Sequence, residues 1–144
     1  MIKKLNILFL CTGNSCRSQM AEGWTKHLKG DVINCESAGI ETHGLNPMAV
    51  KAMAETGVDI SQHESQLVDD FISESWDYVI TVCGHAHETC PMFPGRAKIV
   101  HVGFDDPPAL AKAETNEEGA MAHYRRVRDE ICEFVQSLPE SLQE

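Results

Sequence analysis

The stretch Asn6-Ile-Leu-Phe-Leu-Cys11-Thr-Gly-Asn-Ser-Cys-Arg17-Ser18 decides the fold. Its first half is a continuous apolar run, the pattern of a strand buried on both faces of a parallel sheet. Thr12-Gly13 ends the run. Beyond Ser18, Met20, Ala21, Trp24 and Leu28 recur at helical spacing, with Glu22 and Lys26 among the polar positions between them. Gly30 is expected to close this helix in the usual C-terminal position. A buried strand that turns directly into a helix is the opening unit of an α/β fold. In open parallel sheets, ligands bind beyond the carboxyl ends of the strands, at such a turn.

The rest of the chain repeats the alternation. Val32 to Ala38 reads as a strand ended by Gly39. Asn46-Pro47 starts a helix, with Asn as cap and Pro in the first turn, and Gly57 stops it. Gln66 to Ser73 is read as a short helix, Tyr78 to Val82 and Ala97 to Val102 as strands. A last helix begins near Asn116-Glu117-Glu118 and carries Met121, Tyr124, Val127, Ile131, Phe134 and Leu138 at three- and four-residue steps. Strands alternating with helices predict a three-layer α/β sandwich, an open four-stranded parallel sheet with helices on both faces. The absence of repeats, low-complexity tracts and linkers predicts one domain over residues 1–144.

The loop between the first strand and first helix has the composition of an anion cradle. A bare Cys-x5-Arg spacing is weak evidence, because chance produces it readily; its place at a strand-to-helix junction is what strengthens it. Five intervening residues let the backbone curl around a tetrahedral anion. Gly13 and Asn14 tolerate the left-handed conformation that aims N–H groups inward. The helix start adds partial positive charge, and Arg17 has the planar fork for two oxyanion oxygens. Thr12, Ser15, Cys16 and Ser18 complete the candidate substrate-binding set. The same donors are expected to favour a thiolate at Cys11, the candidate nucleophile, with Ser15 and Ser18 in reach of it. Cys16 is read as contributing backbone alone.

Composition limits the alternatives. Apolar residues form 42% of the 144-residue chain and charged residues 24%, ordinary values for a globular protein. The run ending at Cys11 is too short for a membrane span or a secretory signal, which predicts a cytoplasmic protein. A net charge of −10 argues against nucleic acid or an anionic membrane as partner. An anion site must then act through contact-range donors against the overall field. Six cysteines (11, 16, 35, 83, 90 and 132) without an export signal suggest thiol chemistry over a disulfide scaffold. Cys35 and Cys132 read as core fillers. No exposed heptad or large apolar surface argues for more than a monomer.

Cys11-Thr-Gly-Asn-Ser-Cys-Arg-Ser-Gln-Met-Ala-Glu-Gly23 resembles the oxyanion loop of thioredoxin-coupled arsenate reductases, which share their fold with low-molecular-weight protein tyrosine phosphatases. Ser37-Ala-Gly-Ile40, His43-Gly-Leu-Asn-Pro47, Cys83-Gly84, Cys90-Pro-Met92 and Gly103-Phe-Asp-Asp-Pro107 match the same family in the same order. The resemblance implies a three-cysteine relay with no tightly bound cofactor. Cys11 attacks arsenate, Cys83 then takes Cys11 into a disulfide as arsenite leaves, and Cys90 draws the disulfide to Cys83–Cys90 for thioredoxin. It also assigns the general acid to the Asp before Pro, Asp106. In some relatives a potassium ion lies behind the loop, where Asn14, Glu22 and Ser37 match part of the site. Pro108 and Ala109 follow Asp106-Pro107 where the phosphatases carry an aromatic pair, so the resemblance does not support a tyrosine-phosphate pocket. One departure is Val102, which stands where these reductases commonly carry Trp.

The Cys83–Cys90 spacing has its own consequence. Seven helical residues rise about 10.5 Å, whereas a disulfide needs Cα atoms about 4.4–6.8 Å apart. Pairing therefore requires the segment to unwind. Gly84, the lack of a large apolar anchor and Pro91 all make that easy. The competing reading takes Cys83, His85, His87 and Cys90 as zinc ligands, though four in eight residues fit the usual paired spacing poorly. Simple surface exposure is the expectation for both histidines.

Overall fold

The computed structural model describes residues 4–93, 95 and 97–142. Four parallel strands, β1 (Leu5–Cys11), β2 (Ile33–Gly39), β3 (Tyr78–Thr81) and β4 (Lys98–His101), form one sheet in the order β2-β1-β3-β4. The apolar run thus becomes a central strand. Ile7, Leu8, Phe9 and Leu10 are fully buried, and the register pairs Cys11 with Gly39 on one side and Leu10 with Thr81 on the other. β4 is one edge, and Lys98, Ile99 and His101 on it are exposed, in keeping with a strand that has no neighbour on its outer side among the described residues.

The helices are α1 (Arg17–Lys29), α2 (Pro47–Ala54), α3 (Gly84–Glu88), α4 (Pro107–Ala111) and α5 (Glu117–Gln136). α1 packs on β1, β2 and α5, and α5 also receives α2 and α4. The expected stripe of α5 is inward: Met121, Tyr124, Val127 and Ile131 are buried, with Leu138 just beyond the helix, while Phe134 is partly covered. Asn46 and Asn116 cap as expected, their side-chain oxygens accepting from Met48 and Ala49 N–H and from Gly119 N–H.

Two local expectations are corrected. Gly30 caps α1 in right-handed helical geometry, φ −60°, so the helix ends without the left-handed turn. The proposed helix from Gln66 to Ser73 shrinks to a single 3₁₀ turn, Val68–Asp70, because only Val68 and Phe71 are buried there. The segment after Asp106, to which no element was assigned above, forms a short helix with Pro107 suited to its first turn.

Candidate active site

The loop from Cys11 to Arg17 is shaped by the groups that donate to its carbonyl oxygens. Backbone N–H groups of Ile40, Glu41, His43 and Asn46 donate to the carbonyl oxygens of Cys11, Thr12, Gly13 and Ser15 at 3.1, 2.8, 2.9 and 2.9 Å. The Ser65 hydroxyl donates to the Gly13 carbonyl at 2.9 Å, and Gln19 Nε2 to the Asn14 carbonyl at 3.1 Å. In a trans peptide the N–H points opposite the C=O. Turning the carbonyl groups out against the 40–46 segment therefore turns the amides toward the loop's hollow. α1 begins at Arg17 with no side-chain cap, so its first N–H groups add to the same donor set. The hollow is a cavity of about 230 Å³ lined by Cys11, Thr12, Gly13, Ser15, Cys16, Arg17, His43, Asp106 and Pro108.

One of the two positions expected to be left-handed departs from expectation. Asn14 adopts the left-handed conformation, φ 48°, but Gly13 does not. Gly13 is glycine for space: a Cβ there would lie 2.2 Å from His43 Nδ1. Gly39 is equally confined, since its Cβ would meet the Glu41 carbonyl oxygen at 2.2 Å. Asn14 and Ser18 do not line the cavity; they buttress it. Cys11 Sγ is 2.8 Å from Ser18 Oγ, and Asn14 Nδ2 donates to Ser18 Oγ (2.8 Å) and to Ser37 Oγ (2.9 Å). Gln19, fully buried, fixes Asn14 further by donating to its side-chain oxygen at 3.0 Å.

Arg17 is held at the cavity from outside. Its Nη1 donates to the Phe104 carbonyl at 3.0 Å and its Nη2 lies 3.6 Å from Asp106 Oδ1. The two neighbouring carboxylates are sorted by this arrangement. Asp105 pairs with Arg126 of α5 at 3.0 Å, whereas Asp106 faces the cavity. Cys83, at the carboxyl end of β3, reaches the lip of the loop: its Sγ is 3.2 Å from Thr12 Oγ1. The same sulfur accepts from Ala86 N–H at 3.4 Å and so caps α3.

Cys90 lies just past the end of α3, half-buried, with Sγ 3.5 Å from the Pro91 carbonyl oxygen. All six cysteines are free thiols. Burial pushes the Cys90 thiol above its ordinary range. Burial also raises Cys16 strongly, with Cys11 adding to it, and takes Cys35 up to about 12. Cys132 is raised by burial and then by Asp129. All four favour the neutral thiol in this state, and Cys16, Cys35 and Cys132 behave as small apolar side chains.

The metal expectations fare differently from the loop. Asn14, Glu22 and Ser37 do come together, but as a closed network. Ser37 donates to Glu22 Oε1 at 2.5 Å, Lys26 Nζ sits 2.5 Å from Glu22 Oε2, and the Asn14 side-chain oxygen accepts from Gln19 and from Gln66 N–H. With its one carboxylate neutralised by Lys26 and its oxygens engaged, the cluster does not fit a potassium site. For zinc, no group of three or more metal-binding side chains converges among the described residues. His85 and His87 are exposed as expected, yet His87 is not idle: its Nδ1 is 3.1 Å from Thr81 Oγ1 and its ring lies 4.7 Å from that of His101.

The residues overlooked in the sequence are Gln19 and His43. Their roles are contacts across the fold, and the signal for His43 was its place in the His43-Gly-Leu-Asn-Pro47 motif. A larger cleft of about 700 Å³ opens at the amino ends of β1 and β2, beside Asn6, Ile33 and Cys35. It is at the wrong end of a parallel sheet for the chemistry described.

Comparison with known proteins finds relatives along nearly the whole chain. The family model for low molecular weight phosphotyrosine protein phosphatase matches residues 6–144. The chain is 56% identical over 140 residues to the arsenate reductase of Bacillus licheniformis, covering 97% of this chain and 99% of that one. Among solved structures, an arsenate reductase in a phosphate-binding state superposes with a TM-score of 0.75 at 30% identity, covering 93% and 95% of the two chains. A thioredoxin-dependent arsenate reductase of Corynebacterium glutamicum superposes with a TM-score of 0.71 at 27% identity over 97% of this chain and 62% of that one.

Proposed function

The chain belongs to the low molecular weight phosphotyrosine protein phosphatase family, and within it we propose that it reduces arsenate to arsenite through a thiol relay closed by thioredoxin. The observation that carries the reading is the second thiol at the lip of the oxyanion loop, Cys83 Sγ against Thr12 Oγ1. Phosphate-ester hydrolysis has no use for it.

In the first step the Cys11 thiolate attacks arsenic, an As–S bond forms, and one oxygen leaves as water after taking a proton from Asp106. Loop amides and Arg17 hold the remaining oxygens. Cys83 thiolate next attacks the Cys11 sulfur. The S–S bond forms as the As–S bond breaks, and its electron pair stays on arsenic, which departs as arsenite. Cys90 then attacks Cys83, releasing the Cys11 thiolate and leaving Cys83–Cys90 for a thioredoxin dithiol to reduce. No step depends on a metal ion. Free thiols must persist for such a cycle, which fits a reducing cytoplasm. No helix among the described residues is long and apolar enough to cross a membrane. The cavity is complete within one chain, consistent with a working monomer.

The test is arsenite production with thioredoxin, thioredoxin reductase and NADPH. Multiple turnover is expected, reduced by Cys90→Ser to about one turnover per chain at most. Absence of arsenite alongside rapid hydrolysis of an aryl phosphate would replace the proposal with a phosphatase.

A further inference from the structure

His87 lies on α3, between the two thiols that end the relay, and the steps above give it no role. Its backbone N–H donates to the Cys83 carbonyl at 3.2 Å. Its side chain turns back onto the sheet, where Nδ1 is 3.1 Å from Thr81 Oγ1. Thr81 is fully buried on β3, in register with His101 of β4. His101 Nδ1 reaches the same hydroxyl oxygen at 2.9 Å, and the two imidazole rings lie 4.7 Å apart. Gly103 leaves room for the His101 ring, since a Cβ there would fall 3.1 Å from its Nε2.

The Thr81 hydroxyl has one proton and two lone pairs. It donates to one ring nitrogen at most and accepts from the other, an arrangement that two neutral rings satisfy. α3 has little else to fasten it, because Ala86 is its one buried residue. We propose that His87 is a positioning residue of the thiol relay. Seated on Thr81 and His101, it keeps α3 wound and Cys83 at the loop for the second displacement, and it leaves that seat before the third. The proposal rests on the relay reading of Cys83 and Cys90.

The two displacements ask opposite things of α3. For the second, Cys83 Sγ stays at the loop, 3.2 Å from Thr12 Oγ1, while the Ala86 N–H of α3 holds it at 3.4 Å. For the third, Cys90 must approach, and α3 takes up five of the six residues between the two cysteines. A wound seven-residue step rises about 10.5 Å, whereas disulfide-linked Cα atoms lie about 4.4–6.8 Å apart. Once the segment unwinds, the Cys90 thiolate bonds to the Cys83 sulfur. The Cys11–Cys83 bond breaks and Cys11 leaves with the electron pair, so the disulfide moves without net oxidation. His87 is exposed, and its nitrogen exchanges threonine for water on release. Such a hydrogen bond contributes little net stability, which suits a latch opened in every cycle.

The test mixes reduced protein with an equal amount of arsenate, without thioredoxin and at one fixed pH, and quenches by alkylation over time. Arsenite release reports the second displacement, and mass spectrometry follows the conversion of Cys11–Cys83 into Cys83–Cys90. Thr81→Val keeps the shape of its site and the sequence of α3, and His87→Leu removes the nitrogen at an exposed position. Each is expected to slow arsenite release at least about twofold and to speed the conversion about fivefold. His87→Asn, whose amide can take the place of Nδ1, should keep both rates within about twofold of wild type. Leu favours the helix more than His, so faster unwinding in His87→Leu does not come from propensity. Thermal unfolding checks that each variant folds. A change of the same sign in both steps overturns the proposal, since that is a general loosening. So does a conversion rate unchanged in both Thr81→Val and His87→Leu. In either case the relay stands if wild-type protein releases arsenite and forms Cys83–Cys90. If it does neither, the relay falls and the role of His87 with it.

Discussion

Thr12 adjoins both thiols that must meet, following Cys11 in the chain and touching Cys83. Its hydroxyl sits 3.2 Å from Cys83 Sγ, a hydrogen bond that holds the sulfur against the loop. Thr12→Val keeps the shape and removes that hydrogen bond. The expected outcome is a second displacement slowed about tenfold, read as single-turnover arsenite release, with sulfate affinity changed by less than about twofold because the loop amides are untouched. Equal losses in both would mean that Val had disturbed the loop itself. At this scale the sequence is informative about residue types and poor about contacts. Cys11, Arg17 and the choice of Asp106 over Asp105 were legible from position and motif. The Thr12–Cys83 contact was not, nor was Gln19 behind Asn14, because side chains from separate elements meet there only after the sheet is assembled. Gly13 is the instructive error. Glycine was expected for its left-handed freedom, whereas the structure uses its missing Cβ to admit the His43 ring.

Elements differ in how firmly they are tied, and the relay segment is weakly held. α3 has five residues, and of these only Ala86 is buried. His87 N–H to the Cys83 carbonyl, Thr89 N–H to the His85 carbonyl and the Thr89 hydroxyl to the same carbonyl hold it, at 3.2, 3.0 and 2.7 Å. A Cys83–Cys90 disulfide removes the Cys83 sulfur that caps the helix and pulls its ends together. Amide hydrogen exchange at residues 85–89 should accelerate at least about tenfold in the oxidised protein; unchanged protection there would contradict a relay through Cys90. The α2–α5 junction is the opposite case. Glu55, at the end of α2, accepts from Arg125 Nε and Nη2 (both 2.9 Å) and from Arg128 Nη1 (3.0 Å). The Arg125 hydrogen bonds chiefly, then those of Arg128, bring its carboxyl down to about 2. A depressed carboxyl stabilises the fold above the unfolded-state value of about 4.3, and that contribution is lost as pH falls from there toward about 2. Glu55→Gln should therefore lower thermal stability slightly at neutral pH, by less than about 1 kcal/mol for so exposed a group. The difference from wild type should shrink below about pH 4. Long elements such as α5 were readable because twenty residues repeat one stripe. α4 was not, because five residues opening on Asp-Pro-Pro look the same as a turn until α5 packs against them.

For the whole molecule the unresolved tension is charge: a chain of net charge −10 binds an anion. The cavity answers at contact range, with inward amides, the open start of α1 and Arg17. Those donors act over a few ångströms, while the repulsion of the acidic surface acts over a Debye length, about 30 Å at 0.01 M salt and about 10 Å at 0.1 M. Salt should thus remove more of the repulsion than of the attraction. kcat/KM for arsenate at saturating thioredoxin is expected to rise roughly twofold as an inert monovalent salt goes from about 0.01 to about 0.1 M, in contrast to the fall seen where a protein steers an opposite charge. The rise should come through the rate of arsenate capture, so single-turnover As–S bond formation at low arsenate should show it and the rate at saturating arsenate should not. A monotonic fall with salt in both measurements would mean that the local cations govern the approach as well as the bound state. The acidic surface would then have no part in how fast the anion arrives.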